Sequence, residues 1–284
     1  MPEPAQLGSR RSRILGGPRS EGARSTLIAV VSTVVFFGLV VLLVTNAPGW
    51  PDVKRSFFSG EQFRESLPDI ASAFGLNIRL FLVAEVLILV FALLLAVLRS
   101  VPGPVFFPLR LLATAYTDLF RSIPTVLVIY ILGFGAPTLQ ISGLPTSPFF
   151  WGVTALVLVY SAYVAEVYRA GIQSVHPSQE AAARSLGLSQ PQALRFVILP
   201  QAVRRVVPPL LNDFIGLQKD TALVALIGPV EAFRASQIEV AGSFNYTPYL
   251  ATALLFILLT VPMARFTDWL IARNRRRELA AGGR

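Results

Sequence analysis

Hydrophobic residues along this chain fall into six long runs that shorter polar stretches separate. A helix needs about 20 mostly apolar residues to cross the hydrocarbon core of a bilayer. Six stretches meet that requirement: 26–45, 78–98, 112–134, 150–168, 206–229 and 249–272. The pattern therefore predicts an all-α, polytopic membrane protein with about six transmembrane helices.

The first and the fifth runs differ from the others. The first is an unbroken valine, leucine and phenylalanine stretch, and it lacks the small-residue cleavage site of a signal peptide, so we interpret it as a true span. The fifth run contains or adjoins several residues that are unusual in a membrane helix. These are Pro208, Pro209, Asn212, Asp213, Lys219 and Asp220. We expect this span to be kinked or broken.

The stretch 177–200, between the fourth and fifth runs, is polar and has helical start and stop signals. Pro177 suits the first turn of a helix, and Gly187 is placed to end that helix in a left-handed conformation. Ser189 followed by Gln192 predicts a capping box that opens a second segment. We expect Pro200 to end this second segment. The stretch is thus predicted to be two short amphipathic helices, which we call the insert.

Two interpretations of the insert remain open on periodicity alone. Its three alanines, 181–183, form a small, flat surface against which a partner protein could close, and Leu186 and Leu188 add apolar contacts. An amphipathic helix lying on the lipid surface would show the same pattern, and the arginines of the insert would suit it equally well.

Composition narrows the possible functions. Charged residues make up 14% of the 284 residues and hydrophobic residues 54%, whereas soluble domains carry about a quarter charged residues. Cysteine is absent and His176 is the single histidine, which argues against disulfides, thiol chemistry, a metal site and a Ser-His-Asp triad. No phosphate-binding glycine loop is present, so we expect this chain to bind no ATP and no other cofactor.

Charge placement predicts the orientation. The net charge of +9 comes from residues beside the apolar runs, so topology explains it better than nucleic-acid binding does. Most arginines lie in the N-terminal tail, the loop after the second run, the insert with its flanks, and the C-terminal tail. Six crossings put these four segments on one side, and the opposite loops hold only Lys54, Arg55, Arg64, Arg234 and, at the edge of a run, Arg79. The positive-inside rule therefore predicts cytoplasmic termini and a cytoplasmic insert.

The insert resembles a motif of the permease subunits of ATP-binding-cassette (ABC) importers, in the polar amino-acid uptake branch. That motif is a Glu-Ala-Ala triplet, three residues, a glycine, nine residues, an isoleucine, one residue and Leu-Pro. This chain has Ala181-Ala-Ala, then Gly187, Val197 and Leu199-Pro200 at the same spacings. It departs from the motif in that its glutamate stands one place earlier, at Glu180, and in that Ser178 replaces a glycine.

Other segments resemble the same family in the same order. They are Tyr116-Thr-Asp-Leu-Phe-Arg-Ser-Ile-Pro124, Ala162-Tyr-Val-Ala-Glu-Val-Tyr-Arg-Ala-Gly-Ile172, and Leu199-Pro-Gln-Ala-Val-Arg204 with Pro208, Asn212 and Lys219-Asp-Thr-Ala-Leu223. The resemblance implies the type I importer permease fold, with a core of five transmembrane helices over 76–272. The span 26–46 and the external segment 47–75 are then additions, and the basic segments 1–25, predicted to be disordered, and 273–284 are cytoplasmic tails.

The resemblance also implies partners and a mechanism. A permease of this family lies in the bacterial cytoplasmic membrane and forms half of a pathway with a second copy or a sister permease. An extracytoplasmic amino-acid-binding protein delivers the substrate, and a cytoplasmic ATPase holds ATP and Mg²⁺. The insert would be the coupling helix that docks on the ATPase. The coupling residues would be Gln179, Glu180, Ala181, Ala182, Ala183, Arg184, Leu186, Gly187 and Leu188.

Three charged residues in or beside the spans are candidates for the substrate pathway. Glu85 lies in the middle of the second run, so it should face water, pair with a cation or be protonated. It could contact the ammonium group of a substrate or make a structural hydrogen bond to another helix. For Arg121 and Glu166, near span ends, snorkelling or an interhelical salt bridge is favoured over substrate contact.

We expect several further polar residues to have local structural roles. We expect Lys219 and Asp220 to satisfy each other or free backbone groups, Arg265 to pair with Asp268 one turn along, and His176 to start a helix.

Two other functions would show different sequence features. A secondary transporter would show inverted repeats with paired broken helices, and only one irregular span is found. An intramembrane enzyme would need a nucleophile with its base, or two aspartates, at active-site positions within the spans. An ABC permease for another small polar solute remains an alternative.

Overall fold

A computed structural model describes residues 19–101 and 103–282, and all regular structure in these ranges is helical. The α-helices are α1 Arg19–Thr45, α2 Trp50–Phe57, α3 Gly60–Ser100, α4 Phe107–Ser122, α5 Thr125–Tyr130, α6 Ala136–Thr138, α7 Pro148–Gln173, α8 Pro177–Ser185, α9 Gln190–Ala193, α10 Leu199–Asp220, α11 Ala232–Ser243 and α12 Thr247–Gly282. Two π-helical turns, Ile131–Gly135 and Leu194–Ile198, and a 3₁₀ helix, Thr221–Ile227, lie between them. The all-α prediction is confirmed.

The chain divides into two compact units with the boundary between Arg55 and Ser56. The first unit contains α1, whose described side chains are all exposed. A helix that is apolar around its whole circumference and is not covered by protein suits a single span in lipid, as the first run predicts. The segment 1–18, most of the predicted disordered tail, lies outside the described residues.

The second span belongs to a much longer helix than the apolar run indicates. Helix α3 starts at Gly60, where the side chain of Ser59 accepts a hydrogen bond from the N–H of Gln62 at 3.3 Å. Its 41 residues correspond to about 61 Å, roughly twice the thickness of the hydrocarbon core. Part of the predicted external segment is therefore a continuation of this helix. Ser66 and Ile70 are buried there, against protein.

The third predicted span, 112–134, is wrong as a single straight helix. The chain bends by 104° between α4 and α5. Ile123 has an extended backbone (φ −96°, ψ 129°) because it precedes Pro124, whose ring disfavours the helical conformation of the residue before it.

The fifth run is broken, as predicted, but the break does not lie at its prolines. Helix α10 continues through Pro208 and Pro209, and the α-helical geometry changes only at Thr221, where the 3₁₀ helix starts. Gly228, with φ +115°, ends that segment in a conformation that favours glycine. By length and apolarity alone, four helices among the described residues can cross a membrane, or five if the bent pair is one span. Helix α10 is long enough to cross a membrane, but it is more polar than these helices.

Helices α3 and α7 form the centre of the second unit, and α4, α5 and α10 pack around them. Two glycines of α7 allow very close contact with the helical segment that follows the insert. A Cβ at Gly152 would clash with Val224, and one at Gly171 would clash with Val206. These contacts hold the 3₁₀ helix and the start of α10 against the two ends of α7.

A smaller cluster lies at the first half of α3. Ile70 packs there with Ala232 and Ala235 of α11 and Ala251 of α12. The N–H of Ser59 donates to Oγ1 of Thr247 at 3.0 Å, which ties the start of α3 to the start of α12. The polar start of α3 is therefore ordered by contacts within the protein.

Candidate functional site

The first half of the insert has the predicted conformation. Helix α8 begins at Pro177, and the side chain of His176 caps it by accepting a hydrogen bond from the N–H of Ser178 at 3.2 Å. Gly187 ends the segment with φ +86°, in the left-handed region. Both local predictions, the helix-start role of His176 and the left-handed glycine, are confirmed.

The second half of the insert begins as predicted and ends differently. The N–H of Ser189 donates to Oε1 of Gln192 at 2.8 Å, as in a capping box. Pro200 does not end the segment, because the chain passes through the π-turn and continues as α10. In the π-turn the N–H of Leu199 reaches back five residues to Leu194. Pro200 then falls in the first turn of α10, where no N–H donor is needed.

The predicted coupling residues form one exposed surface with a single buried member. Ala181, Ala182 and Arg184 are exposed, Ala183 is buried, and Leu186 is 84% exposed. Gln179 connects this surface to α10, because its Oε1 accepts a hydrogen bond from Gln201 at 3.3 Å. Gly187 is exposed, and Leu188 is half-buried.

A cavity of about 540 Å³ opens beside α8, between the end of α7 and α9. Ile172, Val175 and Leu194 supply apolar walls, and Glu180 and His176 lie at its polar side. Glu180 is exposed and makes no ion pair with the described residues. The displaced acid of the insert is therefore available to a partner.

A second group of polar residues lies within the spans, between α3 and α10. The rings of Phe81 and Phe214 meet edge to face with centroids 4.5 Å apart. This contact brings Glu85, one turn after Phe81, within electrostatic range of Asp213, beside Phe214. Both side chains are partly buried, and neither carboxylate accepts a hydrogen bond from a described residue. We call Glu85 and Asp213 the carboxylate pair.

Other intramembrane polar groups already have partners. Tyr160 donates its hydroxyl to Oδ2 of Asp220 at 2.9 Å. Asp220 thus bonds across from α10 to α7, and no ion pair between Lys219 and Asp220 is found among the described residues. The predicted pair of Arg265 with Asp268 is present at 3.6 Å.

Arg121 and Glu166 each have a contact of their own. Glu166 accepts from Nη1 of Arg99 on α3 at 2.9 Å and from Arg169 one turn along α7. This is the interhelical salt bridge that the sequence favoured for Glu166. The exposed Arg121 lies over the ring of Tyr163, 5.9 Å from its centroid.

Sequence reasoning missed two features of the interior. Asp213 was noted only as a source of irregularity, although its position next to Phe214 on a continuous helix is a signal that it could face α3. The second is a buried network in which Asn77 donates to Oε2 of Glu231 at 2.8 Å and to Oγ1 of Thr221 at 3.1 Å. We call these three residues the buried network. No local sequence signal links positions 154 residues apart.

Comparison with known proteins agrees with this architecture. Residues 88–276 match the family described as binding-protein-dependent transport system inner membrane component. The probable glutamine ABC transporter permease protein GlnM of Bacillus subtilis (strain 168) is 36% identical over 170 residues, which are 60% of this chain and 77% of GlnM. The glutamate transport system permease protein GluC of Corynebacterium glutamicum is 34% identical over 207 residues, covering 69% of this chain and 90% of GluC.

Solved structures give the same result for the fold. The crystal structure of an amino acid ABC transporter with histidines superposes with a TM-score of 0.66 and 31% identity, covering 72% of this chain and 94% of that chain. A chain of the MetNI methionine ABC transporter in an inward-facing conformation gives a TM-score of 0.56 at 18% identity, which shows a shared fold. This chain belongs to the family of inner-membrane components of binding-protein-dependent transport systems, and it is an ABC transporter permease subunit rather than an enzyme.

Proposed function

We propose that this chain is the permease subunit of an ABC importer for polar amino acids. The observation that carries the proposal is helix α8, a capped helix with an exposed surface on a membrane protein of this family. Amino acids are the substrate class named for relatives that match most of the permease core. The solved structure with a TM-score of 0.66 is also named for an amino acid ABC transporter.

The insert is the part that couples this chain to its ATPase. The exposed alanines of α8 give a flat contact surface, and Leu186 gives a protruding apolar one. Because Gly187 ends the helix sharply, the contact surface keeps a fixed shape as a partner moves it. Glu180 offers one negative charge beside Arg184, so a basic side chain of the ATPase would suit it. ATP and Mg²⁺ bind the ATPase subunits, and this chain binds no cofactor.

The carboxylate pair lines the substrate pathway in this proposal. A carboxylate within a span and without a protein partner is costly, unless it faces water or a ligand. An amino acid brings an ammonium group, which can donate a charge-assisted hydrogen bond to the carboxylate of Glu85 or Asp213. Arg121 and Glu166 are not assigned to this part of the pathway in the proposal, because Arg121 contacts Tyr163 and Glu166 is paired with Arg99.

The orientation of the chain in the membrane follows from its charges, and its partners follow from its family. The arginine distribution puts both termini and the insert in the cytoplasm. A second copy of this chain, or a sister permease, supplies the other half of the pathway, and an extracytoplasmic amino-acid-binding protein delivers the substrate. These partners are the ones that the family implies in general terms.

Reconstitution in proteoliposomes tests the whole proposal. The chain would be combined with a candidate ATPase and binding protein, and ATP hydrolysis would be followed together with uptake of labelled glutamine, glutamate and arginine. We expect hydrolysis and uptake to rise together when substrate is present. Uptake driven by an ion gradient without the ATPase would contradict the proposal, and uptake of only another polar solute would contradict the substrate class.

Gly187→Val tests the insert separately. Valine strongly disfavours a positive φ, so the variant should lose most ATPase association while it still inserts in the membrane. Gly187→Asn is the matched control, because asparagine tolerates the left-handed conformation and no atom lies within 4 Å of the added Cβ. Equal ATPase association in the unmodified chain, Gly187→Val and Gly187→Asn would contradict a coupling role. It would favour instead the interpretation of the insert as a helix on the lipid surface.

A further inference from the structure

The last helix of the chain continues well past the membrane-spanning stretch. Its 36 residues correspond to about 54 Å, and the last apolar run of the sequence ends at Ala272. The ten helical residues from Arg273 to Gly282 add about 15 Å. The basic C-terminal segment therefore leaves the membrane as a helix, which fixes the spacing of its backbone positions.

One exposed stripe of this helix changes from aromatic to basic along its length. Phe266 and Trp269 are about half exposed and stack with centroids 5.8 Å apart. The guanidinium of Arg273 lies over the Trp269 ring, 5.1 Å from its centroid, and the exposed Arg276 follows one turn later. Spacings of three and four residues keep these four side chains on one face.

The order of side chains matches the layers of a bilayer leaflet. Tryptophan is enriched where hydrocarbon meets headgroups, so Trp269 marks that depth. Arg273 and Arg276 lie about 6 Å and 10 Å further along the axis, at headgroup level. The acidic neighbour Asp268 is already paired with Arg265, and neither Arg273 nor Arg276 has an acidic partner among the described side chains.

From this stripe we infer that the end of α12 is a binding site for the phosphate headgroup of an anionic phospholipid. The aromatic rings lie against the acyl chains, and Arg273 and Arg276 contact the negatively charged phosphate. Basic residues beside a membrane helix attract anionic lipid in this manner. The inference does not depend on the transported substrate or on the ATPase.

Fluorescence quenching by brominated lipid tests the site on the full-length chain. Trp50→Phe and Trp151→Phe leave Trp269 as the single tryptophan, next to the proposed headgroup position. The protein would be reconstituted in phosphatidylcholine vesicles that contain a minor fraction of either brominated phosphatidylglycerol or brominated phosphatidylcholine. We expect stronger quenching by brominated phosphatidylglycerol, because anionic lipid is enriched around Trp269. Equal quenching by the two lipids would overturn the inference.

Arginine variants test whether Arg273 and Arg276 cause the preference for phosphatidylglycerol. Arg273→Gln with Arg276→Gln should reduce the preference for phosphatidylglycerol by about five-fold for each arginine removed. Arg265→Gln is the matched control, since it removes one positive charge from the same helix at a residue that is already paired with Asp268. The inference fails if the double variant keeps the preference, or if the control loses as much of it.

Inorganic phosphate distinguishes a lipid site from a general anion site. At matched ionic strength, phosphate should leave the preference for phosphatidylglycerol unchanged, whereas displacement by phosphate would indicate a general anion site and overturn the inference. The chain with all its tryptophans provides a second measurement if the single-tryptophan form fails to fold. Short-chain phosphatidylglycerol should then raise its thermal midpoint more than short-chain phosphatidylcholine does, and the double variant should lose that difference.

Discussion

Two polar residues of helix α3 lie eight positions apart and have opposite surroundings. Asn77 is 1% exposed, and its side-chain amide makes three hydrogen bonds, to Glu231, to Thr221 and from the N–H of Ala232. Glu85 is partly buried, with no hydrogen-bond partner among the described residues and with Asp213 as its acidic neighbour. One helix therefore contains a fully bonded polar residue and an unbonded charged one.

The buried network explains how a carboxylate can be buried in this protein at low cost. Glu231 is 0% exposed, yet it accepts hydrogen bonds from Asn77 and from the N–H groups of Phe233 and Arg234 at the start of α11. A carboxylate at a helix N-terminus is also stabilised by the helix dipole. The carboxylate pair has none of these donors. The buried network therefore joins α3 to α11, whereas the carboxylate pair is free to meet a ligand, as the proposed function requires.

The largest effect is expected from breaking the buried network. Asn77→Leu removes one donor from Glu231 and leaves the N–H of Ala232 without its acceptor. Losing a hydrogen bond to a buried charged group typically costs about 1.5–3 kcal/mol, and the unpaired N–H of Ala232 adds to that cost. We expect a much lower thermal midpoint of the purified protein and low expression.

Asp69→Leu is the control for this variant. Asp69 lies on the same helix but is exposed, so its replacement should change the free energy of unfolding by less than about 0.5 kcal/mol. Similar losses of stability from both variants would show that the buried network has no special structural role.

A smaller effect on stability, with a large effect on transport, is expected at the carboxylate pair. Glu85→Gln keeps the shape of the side chain and removes the charge. The thermal midpoint should stay the same or rise, because a buried charge without a partner is costly. Uptake in proteoliposomes should fall about 10- to 100-fold, since a hydrogen bond to a charged group contributes about 1.5–3 kcal/mol.

Asp213→Asn supplies the comparison for Glu85→Gln. If the two carboxylates share one ligand, the double variant should lose little more uptake than either single variant, because coupled sites are not additive. Unchanged uptake in Glu85→Gln would remove Glu85 from the pathway.

The smallest effect is expected at Glu166. This residue is charged, like the carboxylate pair, and hydrogen-bonded, like the buried network. Glu166→Gln weakens pairs whose side chains are 13–31% exposed, so the loss of stability should be about 1 kcal/mol and should shrink at high salt. A double-mutant cycle with Arg99→Gln measures the coupling between the two residues. Loss of uptake in Glu166→Gln that does not depend on Arg99 would assign Glu166 to the pathway instead.

The accuracy of sequence prediction differed between local and distant features. The start of α8, the capping box and the left-handed Gly187 were predictable because each depends on residues within four positions. Pro200 was misassigned because a proline two places into a new helix looks the same in sequence as one that ends a helix. The same ambiguity affected Pro124, where the chain bends by 104°, and Pro208 with Pro209, where it remains helical.

Features that depend on distant parts of the chain could not be predicted from the sequence. The length of α3 is one example. Apolarity placed the start of the second span at Ile78, yet α3 starts at Gly60, because its first half packs against α11 and α12. Asp220 was expected to bond its neighbour Lys219 or a free backbone group, and instead it bonds Tyr160, 60 residues away. Hydropathy reports how a segment interacts with lipid and carries no information on which distant helix covers it.

The sequence by itself therefore determined the all-α membrane class, most of the apolar spans, the local form of the insert and, through its motifs, the family. Hydrophobic length, helix capping and the backbone freedom of glycine act over a few residues, so they can be recognised along the chain. Only the tertiary structure decided that Asn77 is fully bonded and Glu85 is not. That distinction depends on Glu231 and Asp213, which close packing of α3 with α10 and α11 brings from more than 100 positions away.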